Sequence, residues 1–281
     1  SSNSGSRLSA RGDRVVVRIT DWNEKQKNPE GEIVAVLTDE KVNEIAMKEI
    51  LLQQGFSLEF PAAVLEELEQ IPTTITQDEI SKRKDMRGVL TLTIDPHDAK
   101  DFDDAISYEK LDNGLHRIGV HIADVAHYVL PETALDKEAY KRATSVYLPD
   151  RVLPMLPEKI SNELCSLRPF EDKLTFSAIF DVNDAAEVKN QWIGKTVIHS
   201  NKRFSYEEVQ EIIETKEGAH KEVILLLNQI SQTLRSEKFQ KGAINFTSEE
   251  ARFILDEHGV PEAVVVKESK ESHQLIEELM L

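Results

Sequence analysis

The chain has 281 residues, of which 40% are hydrophobic and 30% charged, and its formal net charge is −17 at pH 7. This length suffices for one large buried core with a small appendage. No run of about eighteen apolar residues occurs, which excludes a transmembrane helix and a membrane partner. The one cysteine, Cys165, excludes an internal disulfide bond and indicates a reducing compartment.

The first part of the chain alternates short β-rich and helical patterns. The elements predicted before residue 88 are strands at 12–19 and 31–37 and helices at 41–54, 61–70 and 78–83. Two strands with one apolar face each are too few for a stable domain. We therefore predict a strand-rich piece at 1–39, a helical linker at 40–87 and a main domain from residue 88 onward.

From residue 88 onward, strands come first and helices mostly later. The predicted strands are 88–94, 103–109, 116–123, 174–182 and 188–199, and the predicted helices are 136–142, 205–214, 219–240 and 270–281. Helix 219–240 has the clearest apolar stripe at helical spacing. This order predicts an α+β fold rather than an alternating α/β fold.

The last predicted helix stops on the apolar residue Leu281, with no glycine, no proline and no basic last turn. These are the features that normally end a helix. We therefore expect the chain to be a fragment cut inside its main domain.

The segment Asp95–Asp104, directly after a β-branched strand, holds five aspartates and one lysine. Carboxylates crowded into one loop repel one another and resist joint ionisation. One or two divalent cations would keep them ionised, and hard oxygen ligands suit Mg²⁺ or Mn²⁺. The pattern predicts a metal site at the end of a strand.

The alternative for this segment is a solvated acidic turn, because most charge runs are only that. Four apolar residues are interleaved with the acids, namely Ile94, Phe102, Ala105 and Ile106. Their presence indicates a packed segment and favours the metal site. Three histidines (His97, His121 and His127) lack the spacing of a zinc site and are interpreted as structural or surface residues.

The segment Ile94–Ala105 resembles the signature of the ribonuclease II / ribonuclease R family, and most of all its ribonuclease R branch. Further blocks follow in the order that this family shows. They are His121–Val125 with Tyr128-Val129, Thr144–Pro149, Pro154–Glu158, Ser161–Leu167, Gly242–Phe246 and Leu275–Glu278. The resemblance extends from about residue 11 to the last residue.

The resemblance implies an α+β catalytic domain of the RNB type, a mixed sheet or barrel with surrounding helices. This domain would be incomplete here and preceded by the end of an OB-type cold-shock barrel. Residues 1–39 would then be the C-terminal part of that RNA-binding domain, 40–87 the linker, and 88–281 the N-terminal part of the catalytic domain.

The resemblance also implies a processive 3′→5′ exoribonuclease that hydrolyses RNA to nucleoside 5′-monophosphates. The implied cofactor is Mg²⁺, with Mn²⁺ as its alternative, and the implied location is the cytoplasm. The expected partner is the 3′ end of single-stranded RNA. RNA-decay or ribosome-associated factors are further expected partners, and the expected state is a monomer.

The site residues implied by the resemblance fall on its motif positions. Asp95, Asp101, Asp103 and Asp104 would form the catalytic, metal-binding cluster, with Asp103 serving a second ion or the attacking water. Asp124 is expected to orient this cluster through hydrogen bonds rather than to bind metal. Two metals would generate the nucleophile from water and neutralise charge on the phosphate.

Two aromatic residues and one acid would contact the RNA. Tyr147 and Phe246 match the family residues that stack on the two faces of the 3′-terminal base. Stacking tolerates any base, which suits an enzyme that degrades any RNA. Glu278, or its neighbour Glu277, would contact the ribose and so distinguish RNA from DNA.

The charge of −17 is unfavourable for RNA binding, for which a basic surface is expected. A local basic channel would resolve this conflict. The residues that could form it are Arg142, Arg151, Lys159, Arg168, Lys195, Lys202 and Arg203.

Two other functions remain open. One is a catalytically incomplete RNA-binding fragment of such an enzyme, because the resemblance places further catalytic residues beyond Leu281. The other is an unrelated metal phosphatase or nucleotidyl hydrolase that uses the aspartates, although this leaves Tyr147 and Phe246 unexplained.

Overall fold

A computed structural model describes residues 14–21, 30–37, 42–149, 151–244, 250–256, 261–267 and 269–281. The chain divides into two units, residues 1–59 and 60–281. The first unit contains an antiparallel strand pair, β1 (Arg14–Asp21) and β2 (Glu30–Leu37), followed by helix α1 (Val42–Gln53). These elements lie within two residues of their predicted bounds.

The second unit contains the remaining elements. Its strands are β3 (Lys84–Asp85), β4 (Leu90–Asp95), β5 (Asp104–Lys110), β6 (His116–Ala123), β7 (Val146–Tyr147), β8 (Val152–Leu153), β9 (Asp172–Val182), β10 (Val188–His199), β11 (Lys202–Ser205), β12 (Glu250–Leu255) and β13 (Pro261–Lys267). Its helices are α2 (Ala62–Gln70), α3 (Gln77–Ser81), α4 (Val125–Tyr128), α5 (Ala134–Arg142), α6 (Tyr206–Thr215), α7 (Lys221–Gln240) and α8 (Glu271–Met280), with a π-helical segment at Lys159–Leu164.

Seven strands form one sheet in the order β11-β4-β5-β6-β9-β10-β3. The two outer pairs, β11 with β4 and β10 with β3, are parallel, and the other pairs are antiparallel. Strands β11 and β3 are its edges, so the sheet is open rather than a closed barrel across the described residues. The predicted α+β class with a mixed sheet and surrounding helices is confirmed.

Each face of this sheet has its own hydrophobic core. Successive side chains of a strand point to opposite faces, and in β5 Ala105 belongs to one core whereas Ile106 belongs to the other. The core around Ile106 is covered by α6, α7 and α8, whose buried residues include Val209, Ile224 and Leu275. The core around Ala105 is covered by α2, α5 and the π-helical segment.

The strand and helix predictions hold for the second unit as well, since every predicted element is present to within two residues. The elements that the sequence patterns did not predict are the short strands β3, β7, β8 and β11, the pair of β12 and β13, helix α4 and the π-helical segment. None of the helices among the described residues combines the length and the apolar character needed to cross a membrane.

Candidate active site

The aspartates lie where two central strands of the sheet separate. Strand β4 ends at Asp95 and β5 begins at Asp104, and residues 96–103 between them are called the aspartate loop. Asp95 is buried, Asp101 and Asp104 are half-buried, and Asp98 is exposed. The aspartates therefore lie at a strand end and the loop that leaves it, as the sequence predicts.

The apolar residues between the acids are buried. Ile94, Phe102, Ala105 and Ile106 are at most 9% exposed, so the segment is packed against the sheet. The interpretation as a free solvated turn is wrong, because Phe102 fixes the loop to one core and the flanking strand residues fix its two ends to both cores.

Burial and mutual repulsion disfavour the ionised forms of Asp95 and Asp104. Burial, and after it the Asp104 charge, raises the pKa of Asp95 to about 7. Burial and the Asp103 charge raise the pKa of Asp104 to about 6. The pKa of Asp103, which is exposed to solvent on one side, is also raised by partial desolvation and by Asp101. The charges of the four acids thus interact in sequence, Asp95 with Asp104, Asp104 with Asp103, and Asp103 with Asp101.

A divalent cation fits this arrangement. One carboxylate oxygen of Asp95 and one of Asp104, the Oδ2 atom in each, are buried and accept no hydrogen bond within the described part of the chain. Leaving buried anionic oxygens unpaired is costly unless a cation compensates them, and paired carboxylates are the ligands that Mg²⁺ and Mn²⁺ prefer.

The complete four-carboxylate cluster is not preassembled. Across the described residues, no group of three or more His, Cys, Asp or Glu side chains has an arrangement that could hold an ion. The structure therefore brings together Asp95 and Asp104, while the participation of Asp101 and Asp103 in the same site stays a prediction.

Cation binding should depend on pH. The pKa values of Asp95 and Asp104 lie above their ordinary values, so the folded, cation-free chain holds extra protons between about pH 4 and 7 and loses stability as the pH rises through that window. A cation must displace these protons. We expect Mn²⁺ affinity to rise between about pH 5.5 and 8, with proton release near pH 6.5.

This expectation is measured by calorimetry in two buffers of different ionisation enthalpy. Asp98→Asn, an exposed change in the same loop, should retain the proton release. An Mn²⁺ affinity that is constant over this pH range would contradict the assignment of the two carboxylates.

Of the predicted RNA contacts, one borders the aspartates. The hydroxyl of Tyr147 donates to Oδ2 of Asp101 at 3.2 Å, and its ring remains 67% exposed. Phe246 lies outside the described residues. Glu278 is buried in α8, where its Oε1 accepts hydrogen bonds from Arg235 and Lys238 of α7, both at 2.6 Å. Its contact with ribose stays a prediction.

Tyr206 is a neighbour of the site that the sequence analysis missed. It is the first residue of α6, and burial, followed by the charges of Asp104 and Asp95, raises its pKa to about 12. Its ring stacks on His273 at 4.2 Å between centroids. The capping sequence after Ser205 marks this helix start, but the parallel pairing of Ser205 with Asp95 brings Tyr206 to the site.

The histidines behave as the sequence suggests. His121 is fully buried between the hydroxyls of Ser107 and Ser177, at 2.8 and 2.6 Å, and burial lowers its pKa to about 4. It is neutral at pH 7 and links β5, β6 and β9. His97 is exposed on the aspartate loop.

One member of the predicted basic channel is placed wrongly by the sequence. Arg142 is buried, its Nε donates to Glu138 at 2.9 Å, and its guanidinium lies over the Phe60 ring. Its charge is therefore paired with Glu138 inside the protein and does not form part of a surface channel. Arg203 is the channel candidate next to the acids, and it donates to the backbone of the aspartate loop.

An open, mainly apolar cleft of about 390 Å³ borders the acids on the sheet face. Its walls include Asp103 and Asp104 together with Ile122, Phe176 and Ile193, which are each at least 45% exposed. Asp103 and Asp104 are therefore accessible from this side of the sheet.

The chain matches two protein families. The RNB domain matches residues 83–281 and the cold shock domain matches residues 4–61. The DIS3-like exonuclease 2 of Schizosaccharomyces pombe is 42% identical over 94% of this chain and 30% of its own length. Ribonuclease R of Aquifex aeolicus is 38% identical over 96% of this chain and 39% of its own length.

A further relative, named inactive exonuclease DIS3L2, from Arabidopsis thaliana, is 39% identical over 95% of this chain and 27% of its own length. RNase R of Mycoplasma genitalium, solved in complex with double-stranded RNA, is similar in structure, with a TM-score of 0.85 and 26% identity. That match covers 98% of this chain and 50% of the solved chain. The chain spans about a third of the length of these curated relatives.

Proposed function

Because this chain belongs to the RNB-domain family of ribonucleases, we propose that it acts as a processive 3′→5′ exoribonuclease that releases nucleoside 5′-monophosphates. The observation that carries the proposal is the pair of carboxylates of Asp95 and Asp104, at the end of β4 and the start of β5, each of which has one buried, unpaired oxygen among the described residues. Such a pair is unfavourable in itself and becomes useful when it holds a cation.

In this proposal Asp95 and Asp104 hold Mg²⁺, or Mn²⁺ in its place, with Asp101 completing the site. A bound divalent cation lowers the pKa of water and neutralises charge on the phosphate. Asp103, at the exposed end of the row, accepts a hydrogen bond from the attacking water or serves a second ion. The Tyr147 hydroxyl restrains Asp101, and its exposed ring faces solvent, where a base can stack.

The proposal is tested with end-labelled poly(A) and Mg²⁺. The expected products are mononucleotides released from the 3′ end, with no ladder of intermediates. Asp103→Asn should abolish cleavage and preserve RNA binding, whereas Asp98→Asn should cleave as the wild type does. Absence of any cleavage by the wild type, or loss of RNA binding in Asp103→Asn, contradicts the roles proposed here.

A second candidate function is RNA binding without cleavage. It is favoured by the two-carboxylate arrangement, which lacks a preassembled third ligand among the described residues. Retention of poly(A) with no product in the same assay supports it. A domain division at residues 39 and 87, a monomeric state, RNA-decay or ribosome-associated partners and a cytoplasmic location stay predictions of this proposal.

Tyr147→Ala should weaken binding of an RNA 3′ end by about 5- to 150-fold, because loss of a stacked base costs about 1–3 kcal/mol. Tyr147→Phe retains the ring and should bind within about twofold. Both variants should unfold at the wild-type temperature, since the side chain is 67% exposed. Fluorescence anisotropy with a short 3′-labelled oligonucleotide measures the effect, and global unfolding of Tyr147→Ala would instead indicate a packing role.

A further inference from the structure

We propose that Arg203 is a positioning residue for the metal site. Its guanidinium ties the two limbs of the aspartate loop together, so that Asp95 and Asp104 stay close enough to share one divalent cation. The inference rests on the proposed function for the identity of the ion. It assigns to Arg203 a role inside the site rather than on an RNA-binding surface.

The guanidinium contacts the start and the end of the loop. Its Nη2 donates to the carbonyl oxygen of Pro96 at 2.6 Å and to that of His97 at 2.8 Å, directly after Asp95. Its Cζ lies 5.5 Å from the ring centroid of Phe102, which stands between Asp101 and Asp103. One planar cation thus restrains both limbs, donating two hydrogen bonds from a single nitrogen to the first limb and lying over the Phe102 ring on the second.

Arg203 acts from a fixed strand. β11 pairs with β4 in parallel, with Arg203 opposite Thr93. Directly before β11, the Oδ1 atom of Asn201 accepts a hydrogen bond from the backbone N–H of Thr91, and the backbone N–H of Asn201 donates to the carbonyl oxygen of Thr91, both at 2.8 Å. The backbone of Arg203 is therefore fixed relative to the strand that carries Asp95.

A second anchor closes the other end of the loop. Ser166 donates from Oγ to the carbonyl oxygen of Lys100 at 2.7 Å and accepts from the backbone of Phe102 at 3.1 Å. The backbone of Leu167 donates to the carbonyl oxygen of Phe102 at 2.8 Å. The aspartate loop is thus attached to the protein on both sides.

Stability alone does not account for this arginine. Its Nε is buried and meets no acceptor in the part of the chain that the structure describes, and an unpaired buried donor is unfavourable for folding. Asp95 and Asp104 also repel each other before a cation binds. A restraint across the loop opposes their separation, which is the geometric condition for a shared ion.

The test is Mn²⁺ binding to the full chain, measured by calorimetry. Arg203→Met should weaken Mn²⁺ binding by about 10- to 100-fold, as loss of outer-shell support does in metal sites. Ser166→Ala should weaken it in the same direction, and Arg203→Lys, which keeps a charge and a donor, should recover part of the loss. Lys100→Met removes one positive charge beside the acids without removing a hydrogen bond that holds the loop, and it should leave Mn²⁺ affinity unchanged.

Amide hydrogen exchange is the second readout. Residues 97–101 should exchange faster in Arg203→Met and Ser166→Ala than in the wild type or in Lys100→Met. Wild-type Mn²⁺ affinity in a folded Arg203→Met overturns the inference, as does an equal loss in Lys100→Met. Should Arg203→Met fail to fold, unchanged Mn²⁺ affinity in both Arg203→Lys and Ser166→Ala overturns it.

The two proposals fail differently. A wild-type chain that binds Mn²⁺ and cleaves no RNA contradicts the hydrolysis only, and the comparison of variants still decides the role of Arg203. A wild-type chain that binds no Mn²⁺ overturns both.

Discussion

Asp95→Asn should abolish RNA hydrolysis and, in the absence of divalent cations, stabilise the protein. At pH 8 the carboxylate is ionised in both the folded and the unfolded chain. Its folded-state pKa of about 7, against an ordinary value of 3.8, corresponds to about 4 kcal/mol of unfavourable ionisation. A neutral amide of similar shape removes this term but remains imperfectly hydrogen-bonded. We expect a net gain of about 1–3 kcal/mol in the free energy of unfolding.

The gain in the free energy of unfolding of Asp95→Asn depends on pH and on the presence of a divalent cation. It should be largest above pH 7 and fade as the pH falls towards 3.8, below which the wild-type carboxyl is protonated in both states. Saturating Mg²⁺ should stabilise the wild type and not the variant, because binding to the folded state alone shifts the unfolding equilibrium. Hydrolysis should fall by about 10³-fold or more.

Thermal unfolding with EDTA and with Mg²⁺ measures the change in stability, and the poly(A) assay measures the loss of hydrolysis. Asp98→Asn is the matched control, an exposed acid in the same loop, and should change neither. If Asp95→Asn is less stable than the wild type at pH 8 with EDTA, the carboxylate has a stabilising partner and the burial argument fails.

Arg83→Met should destabilise the second unit by about 3–5 kcal/mol, which is the usual cost of removing one partner of a buried ion pair. The Arg83 side chain is fully buried, and its Nη2 lies 2.7 Å from Glu79 and 2.7 Å from Asp124. Its Nη1 also donates to the carbonyl oxygens of Thr175 and Thr196 on β9 and β10. Among the ion pairs of the described residues, the loss would leave buried Asp124 with Lys195, at 3.3 Å.

Calorimetry should show a fall of about 10 °C in the unfolding temperature of Arg83→Met. Arg87→Met is the control, because Arg87 pairs with Asp85 and Asp172 at a partly exposed position and should cost about 1 kcal/mol or less. Equal stability of the two variants would show that burial does not strengthen the Arg83 pairs.

The contacts of Asp124 can be compared with its predicted role beside the aspartates. Asp124 does not bind metal in the sequence prediction, and in the structure its carboxylate is engaged by Arg83. It lies just after β6, whose backbone at Ala123 donates to the carbonyl oxygen of Asp103. No hydrogen bond between the Asp124 side chain and the four aspartates occurs among the described contacts, so the expected orienting role of Asp124 stays a prediction.

The bounds of the helices and strands could be predicted because they depend on local spacing. Helix α7 is an example: its apolar residues recur at helical spacing over consecutive turns, and Ile224, Leu227 and Ile230 are buried. Strand β11 is the counterexample. Its four residues carry too little periodicity to separate them from the helix that follows, and only pairing with β4, more than 100 residues earlier in the chain, makes them a strand.

The sequence by itself determined that acids crowd a strand end, that the segment is packed, and that the chain has the motifs of the RNB family. The tertiary structure decided which acids are buried together. Asp95 and Asp104 are neighbouring charges at the two ends of a loop that Arg203 and Ser166 hold, whereas Asp98 in the same run is exposed. The reason is physical: a carboxylate's pKa and its affinity for a cation depend on desolvation and on neighbouring charges, which come from segments far away in the chain.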